Sequence, residues 1–180
     1  LTVKKAAETT VYEKYTPQTT TPIVENGNYL IYNANTSGLA DTSKGLLLTT
    51  TASNGVTGTQ DFTKDGDMIT TDEANVFKIT RSGTTNNNYT VVNSNGRYLR
   101  ITSSNVTYDT TSRTVRFVRN NNYPENIAIS TTSSTYYYLY KNNGTFRTNE
   151  VSSPFNTATY RFELYKEKKL YYTLSSAGTR

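Results

Sequence analysis

Short runs in which apolar and polar positions alternate divide this chain, and no long window shows helical spacing. Three runs open segments: Tyr29-Leu30-Ile31-Tyr32, Tyr89-Thr90-Val91-Val92 and Ile127-Ala128-Ile129. Each segment closes on a phenylalanine-centred run, Val76-Phe77-Lys78-Ile79-Thr80-Arg81, Val115-Arg116-Phe117-Val118-Arg119 or Tyr160-Arg161-Phe162-Glu163-Leu164-Tyr165. The closing phenylalanines recur at intervals of about 40 to 45 residues, within the period that marks internal repeats. Alternation with period two predicts strands, and the Asn, Gly and Ser clusters between runs predict turns.

The second segment, from about Asn88 to Arg119, is the plainest. It reads as Tyr89–Val92, Tyr98–Ile101, Val106–Tyr108 and Thr114–Val118, with turns at 93–96, 103–105 and 109–112. Its Asn95-Gly96 pair is the strongest hairpin signal, because a type I′ turn needs positive φ at both central residues. The third segment repeats the plan from Asn126 to Lys166. The first, from about Asn28 to Arg81, is the longest and carries polar insertions at 51–60 and 63–67. Ahead of it, residues 1–26 read as a leading strand and a linker punctuated by Pro17 and Pro22, since proline denies a ladder donor. Residues 167–180 read as a C-terminal tail leading to a neighbouring domain.

Four short strands cannot bury a core alone, so the three units should converge around a pseudo-threefold axis. The fold expected over 27–166 is all-β, a β-trefoil of three four-stranded units. An immunoglobulin-like or jelly-roll sandwich, which also has evenly spaced short strands, is the alternative. The expected core is Ile31, Leu48, Phe77, Ile79, Val91, Leu99, Ile101, Phe117, Ile129, Leu139, Phe146, Phe162 and Leu164.

Composition narrows the chemistry. Apolar residues make up only 34% of the 180, and 16 tyrosines supply the missing apolar area. There is no cysteine and no histidine, which removes disulfides, thiolate nucleophiles, imidazole bases and the commonest transition-metal ligands. No Ser-x-x-Lys motif offers a substitute base, and nothing in the sequence marks a carboxylate pair for glycoside hydrolysis. The chain is therefore expected to be no enzyme and to need no cofactor. Its net charge of +5 is spread over Arg97, Arg100, Arg113, Arg116, Arg119, Lys166, Lys168 and Lys169. These read as solvated strand faces and not as a nucleic-acid surface. No run approaches the length of a membrane span. The cysteine-free, Thr/Asn/Tyr-rich composition fits an exported Gram-positive bacterial protein, and chemistry equally allows a cytosolic one.

The segments Gly27-Asn28-Tyr29-Leu30-Ile31-Tyr32-Asn33, Tyr89–Val92 with Gly96-Arg97-Tyr98-Leu99-Arg100-Ile101, and Phe162-Glu163-Leu164-Tyr165-Lys166 resemble trefoil-type modules of cell-wall-anchored surface proteins of Gram-positive gut bacteria. The resemblance covers about residues 23–166. It implies an extracellular, non-catalytic interaction module, monomeric within a longer cell-surface chain. Ricin-type lectin trefoils are similar more distantly. Their repeat places a glutamine two residues before a tryptophan, and this chain has no tryptophan, so their sugar-binding residues do not carry over.

The most unusual local run is Tyr136-Tyr137-Tyr138-Leu139-Tyr140-Lys141-Asn142-Asn143. On a strand, Tyr136, Tyr138 and Tyr140 share the face opposite Leu139. With Leu139 buried they would form an exposed aromatic row for a sugar ring or a protein partner, with Asn142 and Asn143 beside it to bond hydroxyls. Packing of those rings under neighbouring loops is the plainer reading. Asn95, Tyr98, Tyr108 and Asp109 form a second group in which ordinary turn formers predominate. Asp61, Asp65, Asp67, Asp72 and Glu73 are acidic neighbours without EF-hand spacing, so no metal is expected. An internal amide from Lys4 or Lys5 to an asparagine would need a buried lysine, which is rare. The expected partner is a glycan or a host surface protein, with a ligand-free fibre spacer as the alternative, and neither nucleic acid nor membrane insertion is expected.

Overall fold

The structure is a computed structural model that describes residues 7–172. Lys4 and Lys5 lie outside the described residues, as does the tail beyond 172. A leading strand β1 (Ala7–Tyr15) precedes unit one, which holds β2 (Gly27–Asn33), β3 (Leu46–Ala52), β4 (Val56–Thr59), β5 (Thr63–Asp65), β6 (Met68–Thr70) and β7 (Phe77–Arg81). Unit two is β8 (Asn88–Val92), β9 (Tyr98–Ile101), β10 (Val106–Asp109) and β11 (Val115–Asn120). Unit three is β12 (Tyr123–Ser130), β13 (Tyr137–Asn142), β14 (Thr145–Glu150) and β15 (Glu163–Tyr172).

Six of these strands close a ring. β2 pairs β7, β7 pairs β8, β8 pairs β11, β11 pairs β12, and β15 pairs β2, all antiparallel. Ile127 and Phe162 complete the circuit by exchanging backbone hydrogen bonds of 2.9 and 2.8 Å. The hairpins β3–β4, β9–β10 and β13–β14 cap the barrel, one per unit. This is a β-trefoil, and the sandwich alternative is excluded because the barrel strands form one closed ring and not two packed sheets.

All of the residues expected in the core are buried, and they join one cluster with Tyr29, Tyr89 and Tyr108. The tyrosines behave as apolar bodies with a polar tip. Tyr89 stacks on Phe117 with ring centroids 4.5 Å apart. Each deep hydroxyl finds a partner: Tyr29 donates to the Glu25 carbonyl at 2.8 Å, Tyr108 donates to the Thr49 carbonyl at 2.6 Å, and Tyr89 accepts from the Val24 N–H at 3.1 Å.

Two strands, β5 and β6, go beyond the expected plan, and the buried pattern of β2 explains both them and the place of the expected leading strand β1. Every residue from Tyr29 to Asn33 is buried. Tyr29 and Ile31 point into the barrel, while Leu30 and Tyr32 join an outer cluster with Tyr12, Leu47, Phe62, Ile69 and Tyr165. A strand apolar on both faces needs cover on both. The β5–β6 hairpin and β1 supply it: Tyr12 pairs Ile69, and β1 runs antiparallel to β15 from Ala7↔Tyr172 to Tyr15↔Leu164. The leading segment and the C-terminal segment thus form one ribbon laid on unit one.

Two local expectations are corrected. The regions read as polar insertions at 51–60 and 63–67 include strands β4 and β5, because threonine hydroxyls can staple a ladder: Thr49 and Thr57 Oγ1 lie 2.8 Å apart. The Asn95-Gly96 turn is not type I′. Only Gly96 has positive φ, +74°, and the Asn93 carbonyl accepts from the Gly96 N–H at 2.9 Å, so a turn followed by a left-handed glycine makes the connection.

Truncating Phe162→Ala at the ring closure should cost about 3–5 kcal/mol in denaturant unfolding. Burial raises the tyrosine hydroxyls, Tyr12 to about 12 and Tyr29, Tyr108 and Tyr165 further. Above ~pH 10 an unfolded tyrosine loses its proton while the folded one must keep it. Stability should therefore hold up to about pH 10 and fall progressively above it, with phenolate absorbance rising together with unfolding.

Candidate functional site

The face assignment of the tyrosine run holds, and the exposure expected from it does not. Leu139 is fully buried in the barrel core, and Tyr137 packs against the same core. Tyr136, Tyr138 and Tyr140 do share the opposite face, but only Tyr136 is open, at 37%, while Tyr138 is 6% exposed. The cause is the connection between β14 and β15. Its two short 3₁₀ turns, Pro154–Asn156 and Ala158–Tyr160, fold over this face. Tyr138, Ala128, Phe155 and Tyr160 form a satellite cluster, and Tyr140 stacks on Tyr160 at 5.1 Å. The run is therefore not a continuous exposed aromatic row.

Asn142 and Asn143 lie at the far end of the hairpin. The Asn142 carbonyl accepts from Thr145 Oγ1 at 3.0 Å. Asn143 takes a left-handed φ of 52° at the turn tip, beside Gly38. Neighbouring Lys141 is buried, and burial lowers its pKa. Its Nζ donates to the Ser37 carbonyl at 2.6 Å and to Asn35 Oδ1 at 3.3 Å, tying this hairpin to unit one. The structure thus separates Tyr136 from Tyr140, Asn142 and Asn143.

At the open end of the β13–β14 ladder a pocket of about 450 Å³ is lined by Tyr136, Tyr138, Ser134, Thr135, Glu150 and Ser152. Its floor is braced by Arg116. That guanidinium stacks 3.4 Å from the Tyr136 ring centroid, and donates to Ser130 Oγ at 3.0 Å and to the Tyr138 hydroxyl at 2.8 Å. Such a stack combines cation–π attraction with a planar fork of donors. The result is one fixed aromatic ring, a ring of hydroxyls and one carboxylate. Arg116 and Glu150 were not legible in the sequence. Arg116 shares the face of Tyr138 through the pairings Arg116↔Ser130 and Ser130↔Tyr138, and so lies behind the lining rings. Glu150 reaches the pocket as the last residue of β14, at the open end of the ladder.

The other sequence candidates have structural duties. Tyr108 is in the core, and Asp109 pairs Arg113 at 2.8 Å and Arg100 at 3.5 Å. The Thr111 N–H, followed by Arg113, holds the Asp109 carboxyl below its ordinary range. Asn95 is exposed at the turn and Tyr98 half-buried beside it. In the acidic stretch, Asp72 caps the turn at Glu73–Asn75 and Asp67 lies 3.6 Å from Lys14. Among the described residues no group of three acidic side chains converges to hold a metal ion.

No protein-family profile matches the sequence, and no curated protein matches it. Solved structures do. The structure of SeviL bound to asialo-GM1 saccharide aligns with a TM-score of 0.58 at 12% identity, over 79% of this chain and 98% of that one. The Rhizoctonia solani agglutinin aligns with a TM-score of 0.54 at 18% identity, over 79% and 96%. A GlcNAcα1-4Gal releasing endo-β-galactosidase from Clostridium perfringens aligns with a TM-score of 0.55 at 15% identity, over 78% of this chain and 32% of that one. These likenesses establish the shared fold.

Proposed function

We propose that this chain is a non-catalytic carbohydrate-binding module whose site is the Tyr136 pocket. The observation that carries the reading is the braced ring. A sugar offers an apolar C–H face and a girdle of hydroxyls. Tyr136 supplies a flat apolar surface, and Glu150, Ser134, Thr135 and Ser152 supply hydrogen-bonding groups around it. Arg116 stacks on Tyr136 and is itself pinned by Ser130 and Tyr138, so little ordering cost falls on binding. SeviL, which shares the fold, is seen with a saccharide bound.

The pocket supports binding and not hydrolysis. Glu150 is the one carboxylate in its lining, whereas glycoside hydrolysis uses two carboxyl groups facing one bond. We place the module outside the cell, on a Gram-positive bacterial surface. The support is compositional: a cysteine-free strand protein rich in threonine, asparagine and tyrosine.

Glycan-array binding of the folded protein, beside Tyr136→Ala and Glu150→Gln, tests this. Because Tyr136 stands at the surface, its truncation should leave the fold intact while weakening glycan binding at least about tenfold, or about 1.4 kcal/mol. Tyr138→Ala is the wrong probe, since that ring is buried. A blank array from folded wild-type protein, or full binding by Tyr136→Ala, would overturn the reading and favour a fibre spacer or a protein-recognition module.

A further inference from the structure

Asn33 and Asn93 occupy corresponding places in units one and two, directly at the end of each opening strand. Both are buried, and each Oδ1 accepts from the N–H two residues on, Asn35 or Asn95, at 3.0 Å. Their Nδ2 ends differ. In unit one, Asn33 Nδ2 donates to the carbonyls of Ala158, Thr159 and Arg161 at 3.4, 3.0 and 3.1 Å. Those carbonyls belong to the 3₁₀ turn that precedes the closing Phe162.

The corresponding turn before the closing Phe77 is Glu73–Asn75. Here the Ala74 carbonyl is taken by Ser94 Oγ at 3.0 Å, and Asn93 Nδ2 has no partner although the residue is only 4% exposed. An unpaired buried donor is destabilising, so its persistence calls for an explanation. A pocket of about 320 Å³ lies here, lined by Asn93, Val76, Val92, Glu73, Tyr12 and Glu167. Tyr12 and Glu167 come from the β1–β15 ribbon, so this pocket exists only because the ribbon is laid on the trefoil.

We propose that this second pocket binds the acetamido group of an N-acetylated sugar, an inference that rests on the carbohydrate reading above. The internal comparison defines the missing partner. Where the position is satisfied, the acceptor is an amide carbonyl oxygen. An acetamido carbonyl fills that role for Asn93 Nδ2, and its methyl packs on Val76 and Val92. Its N–H donates to the Glu73 carboxylate, which makes no side-chain hydrogen bond among the described residues; Glu167 already accepts from Asn28 at 3.0 Å. Burial and the neighbouring carboxylates keep the Tyr12 hydroxyl protonated, to about pH 12, as a further donor at the floor. This pocket is separate from the one at Tyr136, and together they make the module bivalent.

Amide-detected NMR titration of the full chain with N-acetylglucosamine, and separately with glucose, tests the proposal. N-acetylglucosamine should shift the Asn93 side-chain amide and the Val76 and Val92 signals saturably, and glucose should not. Asn93→Asp keeps the Oδ1 that the 93–97 turn needs and removes the donor. It should weaken these shifts at least about tenfold with the remaining amide pattern unchanged, and Tyr136→Ala should not affect them. No response at Asn93, an equal response to glucose, or full binding by Asn93→Asp would overturn the proposal. Signals around Tyr136 report the first site separately. A silent Asn93 pocket beside a responding Tyr136 pocket sinks only this inference, and silence of both on the glycan array as well sinks the carbohydrate reading.

Discussion

A chain with few aliphatic residues must build its interior from tyrosine, and each buried ring brings a hydroxyl that has to be hydrogen-bonded. That constraint runs through the whole molecule. Tyr29, Tyr89 and Tyr108 bond backbone groups inside the barrel. In the outer cluster Tyr32 accepts from the Gly45 N–H at 2.8 Å, and Tyr165 donates to Glu163 at 3.0 Å. The Tyr165 bond stays within β15, and the other four reach another loop or strand, so the side chains that fill the core also set where its connections lie.

The three units are alike in the barrel and unlike outside it. Unit one is clad by the β1–β15 ribbon and the β5–β6 hairpin, whose Tyr12, Phe62 and Ile69 bury Leu30 and Tyr32. Unit three is clad by its own 3₁₀ turns, whose Phe155 and Tyr160 bury Tyr138. Cladding satisfies apolar faces, and its edges leave concavities. The Tyr136 pocket opens where the cover of unit three stops, and the Asn93 pocket opens where the ribbon passes over the junction of units one and two. Asymmetry laid over a pseudo-symmetric barrel thus creates concavities that the repeat does not contain.

Lys14 shows the same principle in polar form. It lies within 3.4 to 3.6 Å of Asp67, Glu125 and Glu163, and the three carboxylates hold its pKa above the ordinary value against the opposing effect of burial. Their elements are the β5–β6 hairpin, β12 and β15, so one half-buried cation on β1 ties the ribbon to units one and three. The exposed pairs further along the ribbon, Glu13 with Lys168 and Glu8 with Lys169, are solvated and contribute little.

The sequence by itself determined the repeat, the strand pattern and the barrel interior. Alternation with period two and a recurring closing phenylalanine are local signals, and the residues they marked, from Ile31 to Leu164, all became core. It also determined which tyrosines of the run at 136–140 share a face, because side-chain alternation follows from strand geometry. Whether that face was open was decided only by the tertiary structure, since Phe155 and Tyr160 reach it from a connection with no periodicity to read. The same holds for Arg116 beneath Tyr136, for Lys141 beneath the loop at Asn35–Ser37, and for Asn93 facing a gap where Asn33 meets carbonyls. Each depends on register and on which distant segment packs alongside, and those are properties of long-range pairing that no local pattern encodes.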